Sequence, residues 1–240
     1  MSNSGLNERA LATLALLAGL ASCQARPTAR QGFPAAERAV APIVSDSFST
    51  EDARDRAGEA EMVMQMAGVR PGMQVADIGA GEGYYTVRLA PVVGAKGRVL
   101  AEDIVPETRD ALAERVQREN LDNVAVRLGL PDDPKLPPGS FDRIFMVHMY
   151  HEVESPYAFL WHMRDGLKRG GEAVVVDAER PTRRHGTPPD LLRCEFGAVG
   201  LSMTRFQRIE GTDSYFAAFA ATAAKPVPEK IKPCREAPAA

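Results

Sequence analysis

The sequence is short of three things, and each shortage removes a class of function. It has no excess of positive charge: 29 Lys and Arg stand against 32 Asp and Glu, for a formal net charge of −3. No general positive field exists to gather phosphates, so no nucleic-acid partner is expected. It has no run approaching the ~20 apolar residues that cross a bilayer as a helix, which excludes a polytopic membrane protein. Cysteine is scarce, represented by Cys23, Cys194 and Cys234. What is plentiful is globular material, 45% hydrophobic and 25% charged over 240 residues, enough for one domain with a real core plus tails.

Ala10 to Leu20 is an apolar stretch of signal-peptide length, preceded by Arg9 and closed by Leu20-Ala21-Ser22-Cys23. That ending resembles a bacterial lipobox. The resemblance implies a signal over residues 1–22, lipidation of Cys23, and a membrane-anchored lipoprotein on the periplasmic side. If the signal is not used, the stretch is an N-terminal helix with an incidental cysteine and the protein stays cytoplasmic. Residues 24–49, with Pro27, Pro34 and Pro42 and no sustained periodicity, read as a flexible linker.

The rest turns on Val75 to Tyr85, V-A-D-I-G-A-G-E-G-Y-Y. Met73 to Ile78 is a short apolar run behind the Pro71-Gly72 turn, which is how a strand buried on both faces looks. Gly79, Gly81 and Gly83 permit a sharp turn and let a ligand approach main-chain N–H groups where a Cβ would collide. Tyr84 then opens a helix. A dinucleotide fingerprint needs its third glycine three residues after the second, and here it comes after two, which counts against an NAD-dependent oxidoreductase. With Asp77 inside it, the G-x-G-x-G spacing resembles motif I of the class I S-adenosylmethionine-dependent methyltransferases.

The remaining segments follow an order similar to that family. Ser49 or Thr50 caps a helix over Glu51 to Met66, the family's extra leading helix. Arg98 to Ala101 is a second strand ending at Glu102-Asp103, where the family carries the carboxylate that accepts from both ribose hydroxyls; Asp103 is the better match, with Glu102 next. Val105 to Asn120 reads as an amphipathic helix and Asn123 to Leu128 as a third strand. In the loop L-G-L-P-D-D-P-K-L-P, the family's adenine-binding Asp falls on Asp132, with Asp133 the alternative. A fourth strand from Phe141 delivers His148, Tyr150, His151 and Glu152 to the ligand edge, and Ser155 to Leu167 is a helix. L-K-R-G-G-E-A-V-V-V-D is similar to the family's segment before strand five, here Glu172 to Asp177. A helix from Asp190 to Val199 precedes two strands, Met203 to Glu210 and Ser214 to Ala221, joined by a hairpin-like turn. The resemblance implies an α/β fold over residues 50–223: three layers, doubly wound, with a seven-stranded mostly parallel sheet and an antiparallel last strand. Residues 224–240 are left as a disordered tail.

The same resemblance implies S-adenosyl-L-methionine as cofactor, a small-molecule acceptor, and a donor site of Asp77, Gly79, Gly81, Gly83, Tyr84, Glu102, Asp103 and Asp132 or Asp133. Methyl transfer from a sulfonium is an in-line displacement with a neutral leaving group, so orientation supplies most of the catalysis. A base helps only where the acceptor must lose a proton. His148, His151 and His185 titrate near neutral pH on segments facing the donor and are the catalytic candidates, with Tyr150 and Gly186 against the acceptor. Tyr85 reads as pocket wall or core, and His162, beside Trp161 in a helix, as structural. No metal is expected, because His148-x-x-His151-Glu152 is not the H-E-x-x-H zinc spacing and no cysteine lies near. Because S-adenosyl-L-methionine is made in the cytosol, the alternative is an envelope lipoprotein that binds it, or another nucleoside ligand, without catalysis. Export would let Cys194 and Cys234 pair, since disulfides persist in oxidising compartments, whereas a cytosolic chain would keep both thiols free. Intact-mass spectrometry of protein from its native host is expected to show lipid-modified Cys23 as the first residue; an unprocessed Met1 would overturn the export expectation.

Overall fold

The computed structural model describes residues 32–43 and 50–237, so the signal and the lipidated Cys23 lie outside the described residues. The strands are β1 (Gln74–Ile78), β2 (Arg98–Asp103), β3 (Val124–Leu128), β4 (Phe141–Val147), β5 (Leu167–Ala178), β6 (Leu201–Arg208) and β7 (Ser214–Ala221). They form one seven-stranded sheet in the order β3-β2-β1-β4-β5-β7-β6. β1 to β5 pair in parallel, while β7 runs antiparallel to both β5 and β6. This is the expected doubly wound arrangement with its antiparallel last strand.

The helices are α1 (Glu51–Arg56), α2 (Glu59–Met66), α3 (Tyr84–Val93), α4 (Pro106–Arg118), α5 (Pro156–Asp165) and α6 (Pro189–Ala198). Alternate strand residues take opposite faces of the sheet. Val75, Val99, Phe145, Val174 and Phe216 pack with Leu89 and Val93 of α3 and with Val63 of α2. Ala76, Ile144, Met146, Val175 and Phe219 pack with Leu160 of α5 and Phe196 of α6. With both faces covered, the central strands are near-continuous apolar runs.

Several boundaries differ from the sequence reading for local reasons. Thr50 does cap the first helix, its hydroxyl accepting from the Ala53 amide at 3.3 Å. The helix expected over 51–66 is nevertheless broken in two at Gly58, whose φ of +63° no helix can continue through. β5 begins at Leu167 instead of Glu172, with Gly170 and Gly171 inside it and a register shift against β4 between Phe141 and Arg143. The connection from β3 to β4 agrees with its reading as a loop: no helix joins them, because Pro131, Pro134, Pro137 and Pro138 deny that segment its amide donors.

Two segments expected to be loose are packed. Within the stretch read as a linker, Arg38 pairs with Glu195 of α6 at 3.0 Å, and both side chains are fully buried. The Tyr150 hydroxyl donates to the other Glu195 oxygen at 2.7 Å, and Arg38 donates to the Val153 carbonyl at 3.1 Å. Phe33 lies edge-on to Trp161. The stretch read as a disordered tail is held by a disulfide between Cys194 and Cys234, with Cα atoms 6.0 Å apart. Ile231 enters the core, and the Trp161 indole donates to the Pro226 carbonyl at 2.8 Å. Proline-rich composition predicts no periodic structure, and it is silent on such single anchors.

Removing one partner of a buried ion pair typically costs about 3–5 kcal/mol, because the other charge is left uncompensated. Glu195→Ala is therefore expected to lower the unfolding free energy by about that amount. Opening the disulfide, with a sequence separation of 40 residues, should cost on the order of 4 kcal/mol in the chain-entropy picture. Urea unfolding of wild type and variant, with and without reductant, checks both; unchanged midpoints would refute the two anchors.

Candidate functional site

A cleft of about 700 Å³ opens at the carboxyl ends of the parallel strands, within the range of small-molecule sites. This is where open α/β sheets bind ligands. Of the residues proposed from sequence, Asp77, Gly79, Gly81, Tyr84, Glu102, Asp103, His148, His151 and His185 line it.

The donor half is set by the turn after β1. Gly79, Gly81 and Gly83 all have positive φ, between 55° and 90°, which an L side chain would resist. Asp103, at the end of β2, accepts from the Gly81 amide at 3.0 Å and from the Val105 amide at 2.9 Å, so its carboxylate is locked across the turn. Asp77 accepts from the Thr86 hydroxyl at 2.6 Å; burial raises its carboxyl to about 6 against that hydrogen bond. Glu102 reaches under Gly129, where a Cβ would lie 1.4 Å from its Oε1, so a larger residue there would displace the Glu102 carboxyl. Burial, then the Asp103 and Asp77 charges, raise the Glu102 carboxyl to about 8, opposed by the Gly79 amide. Its buried Oε1 has no hydrogen-bond partner among the described residues. An orphaned oxygen in a cleft wall next to a fixed carboxylate fits a ligand rich in hydroxyl and amino donors, which a nucleoside is.

Five expected site residues fall elsewhere. Asp133 turns away to bond the Lys135 amide and ammonium, and the Asp132 carbonyl accepts from His162; Leu130 and Pro131 line the cleft instead. The prolines fold that loop back on itself in a Leu130–Asp133 bridge, which the resemblance to the family's loop does not anticipate. Gly83 starts α3, and a Cβ on it would meet Leu112 at 2.4 Å, so it serves helix packing. Tyr150 is fully buried on Glu195, because the 3₁₀ turn Tyr150–Glu152 points it inward. Gly186 packs on the Ala178 carbonyl, 2.5 Å from where its Cβ would be.

The acceptor half gathers around Asp177, which lies at the end of β5 with no exposed surface. It takes hydrogen bonds from His151 Nδ1 at 3.0 Å, the Thr187 hydroxyl at 2.7 Å and the Ala178 amide at 2.8 Å. With Nδ1 held by a carboxylate, the ring is fixed in orientation and Nε2 lies 4.0 Å from Glu152 Oε1. His185 meets His151 edge-on, with ring centroids 5.4 Å apart. Burial, then His151 and Arg180, push the His185 imidazole below its ordinary value. His148 is set apart from this pair, 3.4 Å from Glu59. Sequence reasoning missed Asp177 as a functional residue; an acid closing the apolar run A-V-V-V-D at a strand's carboxyl end was the available signal.

With the geometry in place, comparison with known proteins gives its class. Residues 75–171 match the family model described as a methyltransferase domain. The protein-L-isoaspartate O-methyltransferase of Ignicoccus hospitalis is 29% identical over 119 residues, 50% of this chain and 54% of that protein. The demethylmenaquinone methyltransferase of Tropheryma whipplei is 35% identical over 119 residues, 50% of this chain and 47% of that protein. The chain thus spans about half the length of the curated relatives it matches. Among solved structures, a SAM-dependent methyltransferase from Aquifex aeolicus superposes with a TM-score of 0.64 at 22% identity, over 72% of this chain and 100% of that one. The [4+2]-cyclase SpnF superposes with a TM-score of 0.60 at 14% identity, over 76% and 87%. The fold is the class I methyltransferase fold. The glycine turn after β1 and the acids at the end of β2 lie within the matched methyltransferase domain.

Glu102 and Asp77 have folded values raised above the ordinary 4.5 and 3.8. Their contribution to stability is complete below those ordinary values and is lost as pH rises through about 6 for Asp77 and about 8 for Glu102. Glu59 works in the opposite sense. Its burial is outweighed by hydrogen bonds from His148 and Arg54, which hold it at about 2, so its contribution is lost only as pH falls from 4.5 toward that value. Unliganded protein should therefore lose unfolding free energy between about pH 5 and pH 8, and Glu102→Gln should flatten that slope. A wild-type profile already flat across the window would refute the raised carboxyls.

Proposed function

We propose that this protein transfers the methyl group of S-adenosyl-L-methionine to a small-molecule acceptor. The observation that carries the reading is Asp103, fixed by the Gly81 and Val105 amides at the lip of the glycine turn. So held, it is oriented to accept from ribose hydroxyls without reorganising. Glu102 Oε1 offers a further acceptor in the same wall, and Leu130 and Pro131 supply apolar surface for a base. The cofactor supplies an electrophilic methyl on a sulfonium. Within the protein, His151 presents Nε2 to the acceptor side, and Asp177 holds that ring in one orientation. Met149 and Val153 add apolar wall beside it. These features favour an acceptor compact enough to share the cleft with the cofactor.

We further propose that the domain works outside the cytosol, tethered by lipid at Cys23. The lipobox pattern and the Cys194–Cys234 disulfide support the same compartment, since such bridges persist where thiols are oxidised.

Calorimetry on the full chain is expected to show binding of S-adenosyl-L-methionine and of S-adenosylhomocysteine. Asp103→Ala should weaken both by at least about tenfold, since each hydrogen bond to a charged acceptor contributes ~1.5–3 kcal/mol. Incubation with methyl-labelled cofactor and a metabolite extract should label a small molecule. Unchanged affinity in the Asp103 variant would refute the donor site, and binding without labelling in any extract fraction would refute the transfer.

A further inference from the structure

We propose that His151, Glu152 and His185 form a binding site for a divalent transition metal, with zinc the best match, at the acceptor end of the cleft. One ligand atom from each lies within 4.8 Å of the others, and all three residues line the cleft. The set of two imidazoles and one carboxylate suits zinc and its first-row neighbours, and it leaves coordination positions open toward the cavity. Two atoms each about 2.1 Å from one ion sit roughly 3.4 Å apart. The 4.0 Å between His151 Nε2 and Glu152 Oε1 closes to that by a small rotation of the partly exposed Glu152.

The supporting geometry matches what metal-bound histidines require. A ligating imidazole carries a carboxylate on its other nitrogen, and Asp177 occupies that position on His151 Nδ1 at 3.0 Å. The same carboxylate accepts from Thr187 at 2.7 Å, and the Thr187 amide donates to the Ala178 carbonyl at 2.9 Å. One buried acid thereby positions both histidines, one directly and one through the loop that carries it. His185 itself sits at φ 54°, a conformation uncommon for a residue other than glycine, which turns the backbone at this loop. Arg180, the cation lining this end, is neutralised by Asp213 at 2.7 Å. Sequence spacing does not reveal the site, because His185 comes from the loop after β5 while His151 and Glu152 come from the turn after β4.

The consequence for substrate deepens the methyl-transfer reading and rests on it: the acceptor is a molecule whose attacking oxygen or sulfur can ligate the ion. Coordination would lower the pKa of that O–H or S–H. The proton would leave to water as the atom binds, and the coordinated anion would form the new bond to methyl as the sulfonium's carbon–sulfur bond breaks, the electron pair staying on sulfur.

Full-length protein stripped with chelator should bind one equivalent of Zn²⁺ by calorimetry, and Co²⁺ should give the visible absorption of a low-coordinate nitrogen and oxygen site. His185→Ala and Glu152→Gln, at partly exposed positions, should each weaken binding more than tenfold, and Asp177→Asn 10- to 100-fold. Affinity for S-adenosyl-L-methionine, measured on the same samples, should stay unchanged in His185→Ala and Glu152→Gln. Absence of stoichiometric metal, or affinity equal to wild type in both of those variants, would overturn the site. Metal binding with no affinity for the cofactor would leave the site standing and remove the methyltransferase reading with its acceptor class.

Discussion

Asp177 is the constraint on which the acceptor half of the molecule depends. Its carboxylate is fully buried and surrounded by the turn after β4, the end of β5 and the loop that follows. A charge taken that far from water is tolerated only when its lone pairs are filled, and three donors from three segments fill them. The ring of His151 and the path of the His185 loop are consequences of satisfying one acid. The donor half obeys a parallel rule, with Asp103 held by two main-chain amides. Each half of the cleft is thus organised around a strand-end carboxylate whose partners are already in place before any ligand arrives.

What the sequence made legible is what is local or periodic. The glycine turn, the acid after β2 and the order of strands and helices each occupy a few contiguous residues, and their physics is the same wherever they occur. The errors cluster where one residue of register reverses a side chain. Tyr150 and His151 are neighbours on a 3₁₀ turn, and the turn sends Tyr150 inward to Glu195 while His151 meets Asp177. Likewise Asp132 and Asp133 lie on a proline loop whose fold-back gives the cleft Leu130 and Pro131. Arg38 and Glu195 lie in segments far apart in the chain, and no pattern in either announces the other.

The orphaned Oε1 of Glu102 and the missing Cβ at Gly129 belong together. Buried unpaired oxygens cost free energy, and glycine in place of a larger residue forgoes packing. Both costs are carried at the wall where a ligand would restore the hydrogen bond. Such local exceptions to good packing are commoner at functional sites than elsewhere.

The anchoring of the two outer segments has a consequence for what counts as the folding unit. A fragment cut to residues 50–223, the span that the family pattern delimits, would keep every strand and helix of the sheet. It would also bury Glu195 with no Arg38, leave Cys194 without Cys234, and uncover the face of Trp161 that Phe33 and Pro226 now occupy. The autonomous body is the longer one, belted by its own flanking segments, which meet in a parallel bridge between Glu37 and Arg235. A pull applied to residue 32 from ahead would therefore reach the core through the buried Arg38 and its contacts.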